Sequence, residues 1–218
     1  VDIDGAVVLV TGANRGLGRA FARELAKLGA KVYAGARNPA SVVDEGVFPV
    51  RLDVTDDASV AAAAKELGDV SIVINNAGVL VGGEDVDSIK AEFEVNFFGI
   101  VRTTDAFAPI LKANGGGAIV NVLSVVSFLG VPAWRGYAAS KAAGWSLTRS
   151  AREALREQGT NVIAVHAGFI DTDMAAGQDG PKIAPEDVVS QVVQAIRNGD
   201  DEVLADDVTR AAKAALAS

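Results

Sequence analysis

The sequence predicts an α/β fold on a doubly wound parallel sheet, and three observations carry that prediction. Short apolar runs alternate along the chain with segments of helical period. The runs are β-branched and apolar at both alternating positions, as strands covered by helices on both faces require. A glycine-rich turn follows the first run directly and opens the first helical period, so ligands are expected at the C-terminal ends of the strands.

In chain order the strand candidates are Val7 to Val10, Lys31 to Ala34, Val47 to Val50, Ser71 to Ile74, Ala118 to Leu123, Asn161 to His166 and Glu202 to Leu204, seven in all. Between the first two, Leu17, Phe21, Leu25 and Leu28 recur at helical spacing and Gly29 offers a stop, which makes one βαβ unit. Helices are expected over 58–67, 87–113, 136–157 and 185–198, with Gly115-Gly116-Gly117 turning into the fifth strand and a last Ala-rich helix after Asp206-Asp207-Val208. No repeat or linker interrupts the 218 residues, and 50% hydrophobic content is ample for one core. The expectation is a Rossmann-type, seven-stranded parallel sheet in a single domain spanning residues 1–218.

Composition narrows the function classes. A net charge of -8 without a basic run argues against a nucleic-acid footprint, which needs clustered Lys and Arg. With no cysteine, neither disulfides nor thiolate chemistry is available. The N-terminus enters an apolar strand within a few residues, leaving no positively charged leader, and no apolar run approaches the roughly 20 residues of a membrane span. A soluble, cytoplasmic protein without a metal site is expected.

Gly12, Gly16 and Gly18 in Thr11-Gly12-Ala13-Asn14-Arg15-Gly16-Leu17-Gly18 let backbone approach a pyrophosphate lying against a helix N-terminus, where free N–H groups point at anions. The spacing is G-x-x-x-G-x-G. After strand two, where an acid would receive an adenosine ribose hydroxyl, the chain reads Ala34-Gly35-Ala36-Arg37, with no carboxylate and one guanidinium. Arg15 places a second positive charge nearby, so NADP(H) is favoured, although either Arg also suits a solvated surface. Asp53 after strand three and Asn75-Asn76-Ala77-Gly78 after strand four stand on the same sheet edge and are candidates for the adenosine pocket. Thr55 and Asp56 are better placed than Asp53 to cap the next helix.

Tyr137 and Lys141 are four apart on an expected helix and share a face. A phenol of ordinary pKa about 10 is a poor acid–base group at neutral pH, and a nearby ammonium is expected to lower it. Ser124, just after strand five, can hydrogen-bond the same carbonyl oxygen, with Ser127 an alternative. Asn96 is packed among apolar residues, so it must find buried partners, either in a helix–helix bond or at a distorted helical turn holding a water that relays protons to Lys141.

These motifs, in order and spacing from about Gly5 to Leu204, resemble the short-chain dehydrogenase/reductase family. The resemblance implies a catalytic tetrad of Asn96, Ser124, Tyr137 and Lys141, with Tyr137 as proton donor in reduction and Lys141 also holding the nicotinamide ribose. It implies that Asp53 contacts adenine, that Asn76 lies near the adenosine side, and that Ile170 and Thr172 hold the nicotinamide carboxamide. Asn14 and Leu17 of the glycine turn, Val54, Ala77, Gly78 and Gly168 join the implied cofactor contacts. The expected reaction is NADPH-dependent reduction of a small-molecule ketone or aldehyde, reversible as alcohol oxidation. A cofactor-binding regulatory protein and an NAD-holding epimerase or dehydratase are the other classes open to such a chain.

The chain departs from that pattern in places. Arg37 to Val47 is too short for a full helix between strands two and three, which would open that flank of the adenosine pocket. Ala167 stands where relatives resemble Pro-Gly, loosening the turn at Gly168. Ala175 to Ile183 leaves a short, Gly-rich lid, and Phe128, Trp134, Phe169 and Met174 are expected to line an apolar pocket. His166 is expected to be structural. Because an Ala-rich helix replaces the Gly-rich turn through which relatives form tetramers, a homodimer through the two long helices is preferred, with tetramer and monomer open.

Overall fold

The computed structural model describes residues 1–83 and 85–216. Seven parallel strands form the main sheet: β1 (Val7–Thr11), β2 (Lys31–Ala36), β3 (Val47–Arg51), β4 (Ile72–Asn75), β5 (Gly117–Val122), β6 (Thr160–His166) and, last in the chain, β9 (Glu202–Leu204). Their order is β3-β2-β1-β4-β5-β6-β9, with every pairing parallel. The order reverses between β1 and β4, and a crevice opens at that switch point beyond the strand C-termini. β7 (Phe169–Ile170) and β8 (Lys182–Ile183) pair separately in a second small sheet. This pairing gives the segment expected as a plain lid a hydrogen-bonded base, a long-range contact that two short runs do not announce in sequence.

The strands split their side chains between two cores. Val8, Val10, Ile72, Ile74 and Val120 face Phe21 and Leu25 of α1 (Gly16–Lys27) and Val188, Val192 and Ile196 of α6 (Pro185–Asn198). Leu9, Val73, Ile119 and Val162 face the opposite way, onto Val60 of α2 (Asp57–Glu66), Phe107 and Leu111 of α4 (Gly99–Ala113), and Leu155 of α5 (Arg135–Leu155). Both alternating positions of the central strands β1, β4, β5 and β6 are therefore buried, which is why these runs read as continuously apolar, while the edge strand β3 leaves Phe48 exposed. Each such side chain, fully buried, stabilises the fold by about 1.5–3 kcal/mol.

Asp56 caps α2 by accepting from Ala58 N (2.9 Å), as its position suggests, and Gly199 ends α6 in the left-handed region at φ +75°. Between β2 and β3 there is only a 3₁₀ turn, Pro39–Ser41, in line with the short connection. In place of a helix, the Arg19 guanidinium of α1 forks onto Asp44 (2.7 and 2.9 Å) and ties the link down. The single helix expected over 87–113 is three pieces: α3 (Val86–Phe93), a π turn at Glu94–Phe98, and α4. The seventh helix, α7 (Asp207–Ala215), packs beside β9 and the turn after β5. Among the described residues no helix is long and apolar enough to cross a membrane, and no cluster of three or more His, Asp or Glu could hold a metal.

Candidate active site

At the end of β1 the chain turns through Gly12 (φ +64°) and enters α1 at Gly16 (φ +51°). The turn is braced from β4. Thr11 Oγ1 accepts from the backbone N–H groups of Asn76 and Ala77, both at 3.0 Å, and Asn76 Nδ2 donates to the carbonyls of Thr11 (3.0 Å) and Gly12 (3.3 Å). Asn76, expected beside the adenosine, thus has its side-chain amide committed to holding the glycine turn. A Cβ at Gly18 would overlap the Gly12 carbonyl oxygen and Asn76 Nδ2, and one at Gly12 would sit 3.0 Å from Ala77 Cα. These glycines are needed for close packing of strand, turn and helix.

The N-terminus of α1 is left open. Arg15 is extended and gives no side-chain cap, and the first turn contains no acid, so the first amides and the positive end of the helix dipole face the crevice unopposed. Such an end fits a phosphate, and the backbone beside it is stripped of side chains at Gly12 and Gly16. Across the crevice, a Cβ at Gly16 would stand 3.4 Å from Thr172 Cγ2, so the glycine turn and the segment after β6 form opposite walls. Asn14 is half-buried at the turn, while Leu17 belongs to the first core.

Arg15 and Arg37 are both exposed, and no ion pair engages either among the described residues. Burial pushes the Asp53 carboxyl up, but the Thr55 hydroxyl (2.7 Å) and amide (3.0 Å), aided by the charges of Arg37 and Arg51, outweigh it and hold the group below the ordinary carboxylate range. Arg51 escaped the sequence reading. The ladder pairs Ala36 with Arg51, which brings Arg37 and Arg51 to neighbouring strand ends. Val54 is buried in the second core.

The side chains expected to form the reacting centre converge at the C-terminal ends of β4 and β5. Lys141 is 3% exposed, lies 5.6 Å from the Tyr137 ring centroid, and donates from Nζ to Val122 O (2.9 Å). Ser124 starts a 3₁₀ turn, its hydroxyl donates to Ala167 O (3.5 Å) and accepts from Val126 N (3.3 Å), and it favours the ionised form of the neighbouring Tyr137 phenol. The structure separates the two serines: Ser127 Oγ turns back to accept from Ser124 N (3.4 Å) and serves as the capping partner.

Asn96 is 0% exposed at the π turn. Its Oδ1 accepts from Val79 N (2.8 Å), and its Nδ2 donates to Val79 O (2.9 Å) and Ser140 Oγ (3.1 Å). It sits at a distorted helical turn and makes a helix–helix bond to α5 through Ser140. Gly78 lies between Asn96 and Lys141, because a Cβ there would be 3.3 Å from Asn96 Oδ1 and 3.5 Å from Lys141 Nζ.

The expected lowering of the Tyr137 pKa is reversed. Burial pushes the phenol up to about 12 against the opposing hydrogen bond from Ser124, and the Glu92 charge adds to the rise. Lys141 does not counter this, since its ammonium is spent on a backbone carbonyl and burial pushes its own pKa down to about 8. Glu92 is a site neighbour that sequence reasoning missed. It is 1% exposed, accepts from Val81 N (2.9 Å) and Gly82 N (3.2 Å), and lies so close to α5 that a Cβ at Gly136 would overlap its Oε2.

Behind Ser124, His166 is buried with Nδ1 3.1 Å from the Ser124 carbonyl and its ring against Phe128 (4.3 Å between centroids). Burial pushes it down to about 4, so the imidazole is neutral at pH 7 with Nδ1 as donor. This packing takes up the face of Phe128, while Trp134 and Phe169 meet edge-on at 6.1 Å and Met174 is 47% exposed. Gly168, Ile170 and Thr172 follow β6 on the wall facing the glycine turn, and Ile170 packs against the first core.

The family model of the short chain dehydrogenases matches residues 6–181. The short chain dehydrogenase tazN of Aspergillus terreus is 37% identical over 204 residues, 82% of this chain; the chain spans 44% of that protein's length. A short chain dehydrogenase from Burkholderia cenocepacia, solved in complex with NADP, superposes with a TM-score of 0.95 at 39% identity, covering 100% of this chain and 95% of its own. A short chain dehydrogenase/reductase from Burkholderia phymatum, solved with NAD, superposes at 0.86 with 28% identity over 97% of this chain and 92% of its own. With the glycine turn, the convergent Ser124, Tyr137 and Lys141, and the sheet order all in place, the chain belongs to the short-chain dehydrogenase/reductase family of oxidoreductases.

Proposed function

We propose that residues 1–218 work as one NADP(H)-binding domain that reduces an apolar ketone or aldehyde and, in reverse, oxidises the corresponding alcohol. The observation that carries this reading is the meeting of Tyr137, Ser124 and Lys141 at the crevice whose other wall is an open helix N-terminus. Gly12, Asn14, Gly16, Leu17 and Gly18 with the first amides of α1 would hold the pyrophosphate, Arg15 and Arg37 the 2′-phosphate, and Asp53, Val54 and Asn76-Ala77-Gly78 the adenosine side. Gly168, Ile170, Thr172 and Lys141 would hold the nicotinamide end. The bound cofactor supplies or takes up the hydride.

Tyr137 is the acid. With its pKa pushed up to about 12 it is fully protonated at neutral pH, and transfer to an alkoxide, a much stronger base, is downhill. Ser124, whose hydroxyl acts on the phenol and makes only a long 3.5 Å bond to Ala167 O, would turn to give the carbonyl oxygen its second donor and stabilise charge as it develops there. Lys141, anchored by its bond to Val122 O, would present its ammonium to the nicotinamide ribose, and the Asn96 turn across Gly78 is the proposed place for proton relay. The long helices α4 and α5 are the proposed dimer faces, which sedimentation would test.

Replacing Tyr137 with Phe tests the mechanism. Turnover is expected to fall about a thousandfold or more while NADPH binding, followed by fluorescence, is largely kept. Retained turnover would refute the role of the phenol.

A further inference from the structure

The turn after β6 carries Ala167, which leaves its φ unrestrained, yet it is held from outside. Asp206, the N-cap of α7, divides its carboxylate: Oδ1 accepts from Thr209 N and Thr209 Oγ1, both at 2.8 Å, and Oδ2 accepts from Gly168 N at 2.7 Å. The helix carrying it is itself anchored. Arg210 Nη1 donates to Leu204 O (2.7 Å), and Lys213 pairs with Glu202 (2.7 Å) while its Nζ lies 4.5 Å from the Trp145 ring centroid.

Gly168 does not have a left-handed φ. The site is instead crowded by the carboxylate, since a Cβ would stand 3.2 Å from Asp206 Oδ2 and press on it. On the other side of the same peptide, the Ala167 carbonyl accepts from Val125 N (2.8 Å) and the Ser124 hydroxyl (3.5 Å). The Ala167–Gly168 peptide is thus clamped between the Ser124 turn and α7, and the chain then runs to Thr172 opposite Gly16.

We propose that Asp206 is a positioning residue for the turn Ala167–Thr172, supplying from the C-terminal helix the restraint that a proline at 167 would otherwise give. Its effect on nicotinamide binding rests on the cofactor reading above, and the effect on the turn does not. A serine at 206 still caps α7 but is too short to reach both Thr209 and Gly168, so D206S separates capping from bracing.

Hydrogen exchange of the Gly168 amide in D206S, without cofactor, is expected to speed up about tenfold or more, with the melting temperature nearly unchanged. Affinity for NADPH is expected to fall about tenfold while affinity for 2′-phospho-ADP-ribose, which lacks nicotinamide, stays level. Adding A167P should restore NADPH affinity without slowing Gly168 exchange. Unchanged exchange, or an equal loss for both ligands with a lowered melting temperature, would overturn the proposal. Faster exchange with both affinities unchanged would keep Asp206 as the brace of the turn and instead defeat the assignment of 168–172 to nicotinamide.

Discussion

Lys141 is a charge the fold holds against its own stability, and replacing it with methionine should expose that. Its pKa is pushed from 10.5 in the open chain to about 8 by burial. The unfolded chain therefore binds more protons between those values, and stability contributed by this group rises with pH from about 8 to 10.5. Below pH 8 the folded state carries the whole penalty, about 3 kcal/mol from the shift. Methionine fills a similar volume without charge, but it leaves Val122 O without its 2.9 Å donor, a loss of about 1 kcal/mol. K141M should thus be more stable than the parent by about 2 kcal/mol at pH 7 while losing turnover. Urea denaturation of both proteins at pH 7, 9 and 10 reads the difference, which should shrink steadily and vanish near pH 10. A variant less stable at pH 7, or a difference that does not change with pH, would refute the reasoning.

R37D should lower the NADP-to-NAD affinity ratio by about tenfold to a hundredfold, the worth of a charge-assisted bond, read by titration with each cofactor; an unchanged ratio would remove Arg37 from the phosphate site. E92Q keeps an oxygen for the amides of Val81 and Gly82 but removes the negative charge facing Tyr137, so the phenol should ionise at lower pH. Tyrosinate absorbance in a Tyr33→Phe background follows that titration, and an unmoved curve would contradict the assignment.

Much of the site was legible because its residues are tied to local signals. The glycine turn follows an apolar strand, and Tyr137 and Lys141 share a helix face by spacing alone. Ser124 and Asp53 stand where strands end, and strand C-termini in a parallel sheet share one edge. The order of motifs then sufficed to place them around one crevice.

What sequence could not show depends on contacts between distant segments. Asp206 meets Gly168 across 38 residues, and His166 meets the Ser124 carbonyl across 42. Nothing local marks Glu92 as buried, yet the fold turns it inward, and only the fold shows that the Asn76 amide also braces the carbonyls of Thr11 and Gly12. The direction of the Tyr137 shift is the sharpest case. Spacing places an ammonium nearby, but whether attraction or desolvation wins depends on how deeply both groups are buried and on where the ammonium points. By itself the sequence determined the fold class, the crevice and the residues that meet there. Only the tertiary structure decided their protonation and what holds them in place, because burial and hydrogen-bond partners are properties of packed segments rather than of the residues alone.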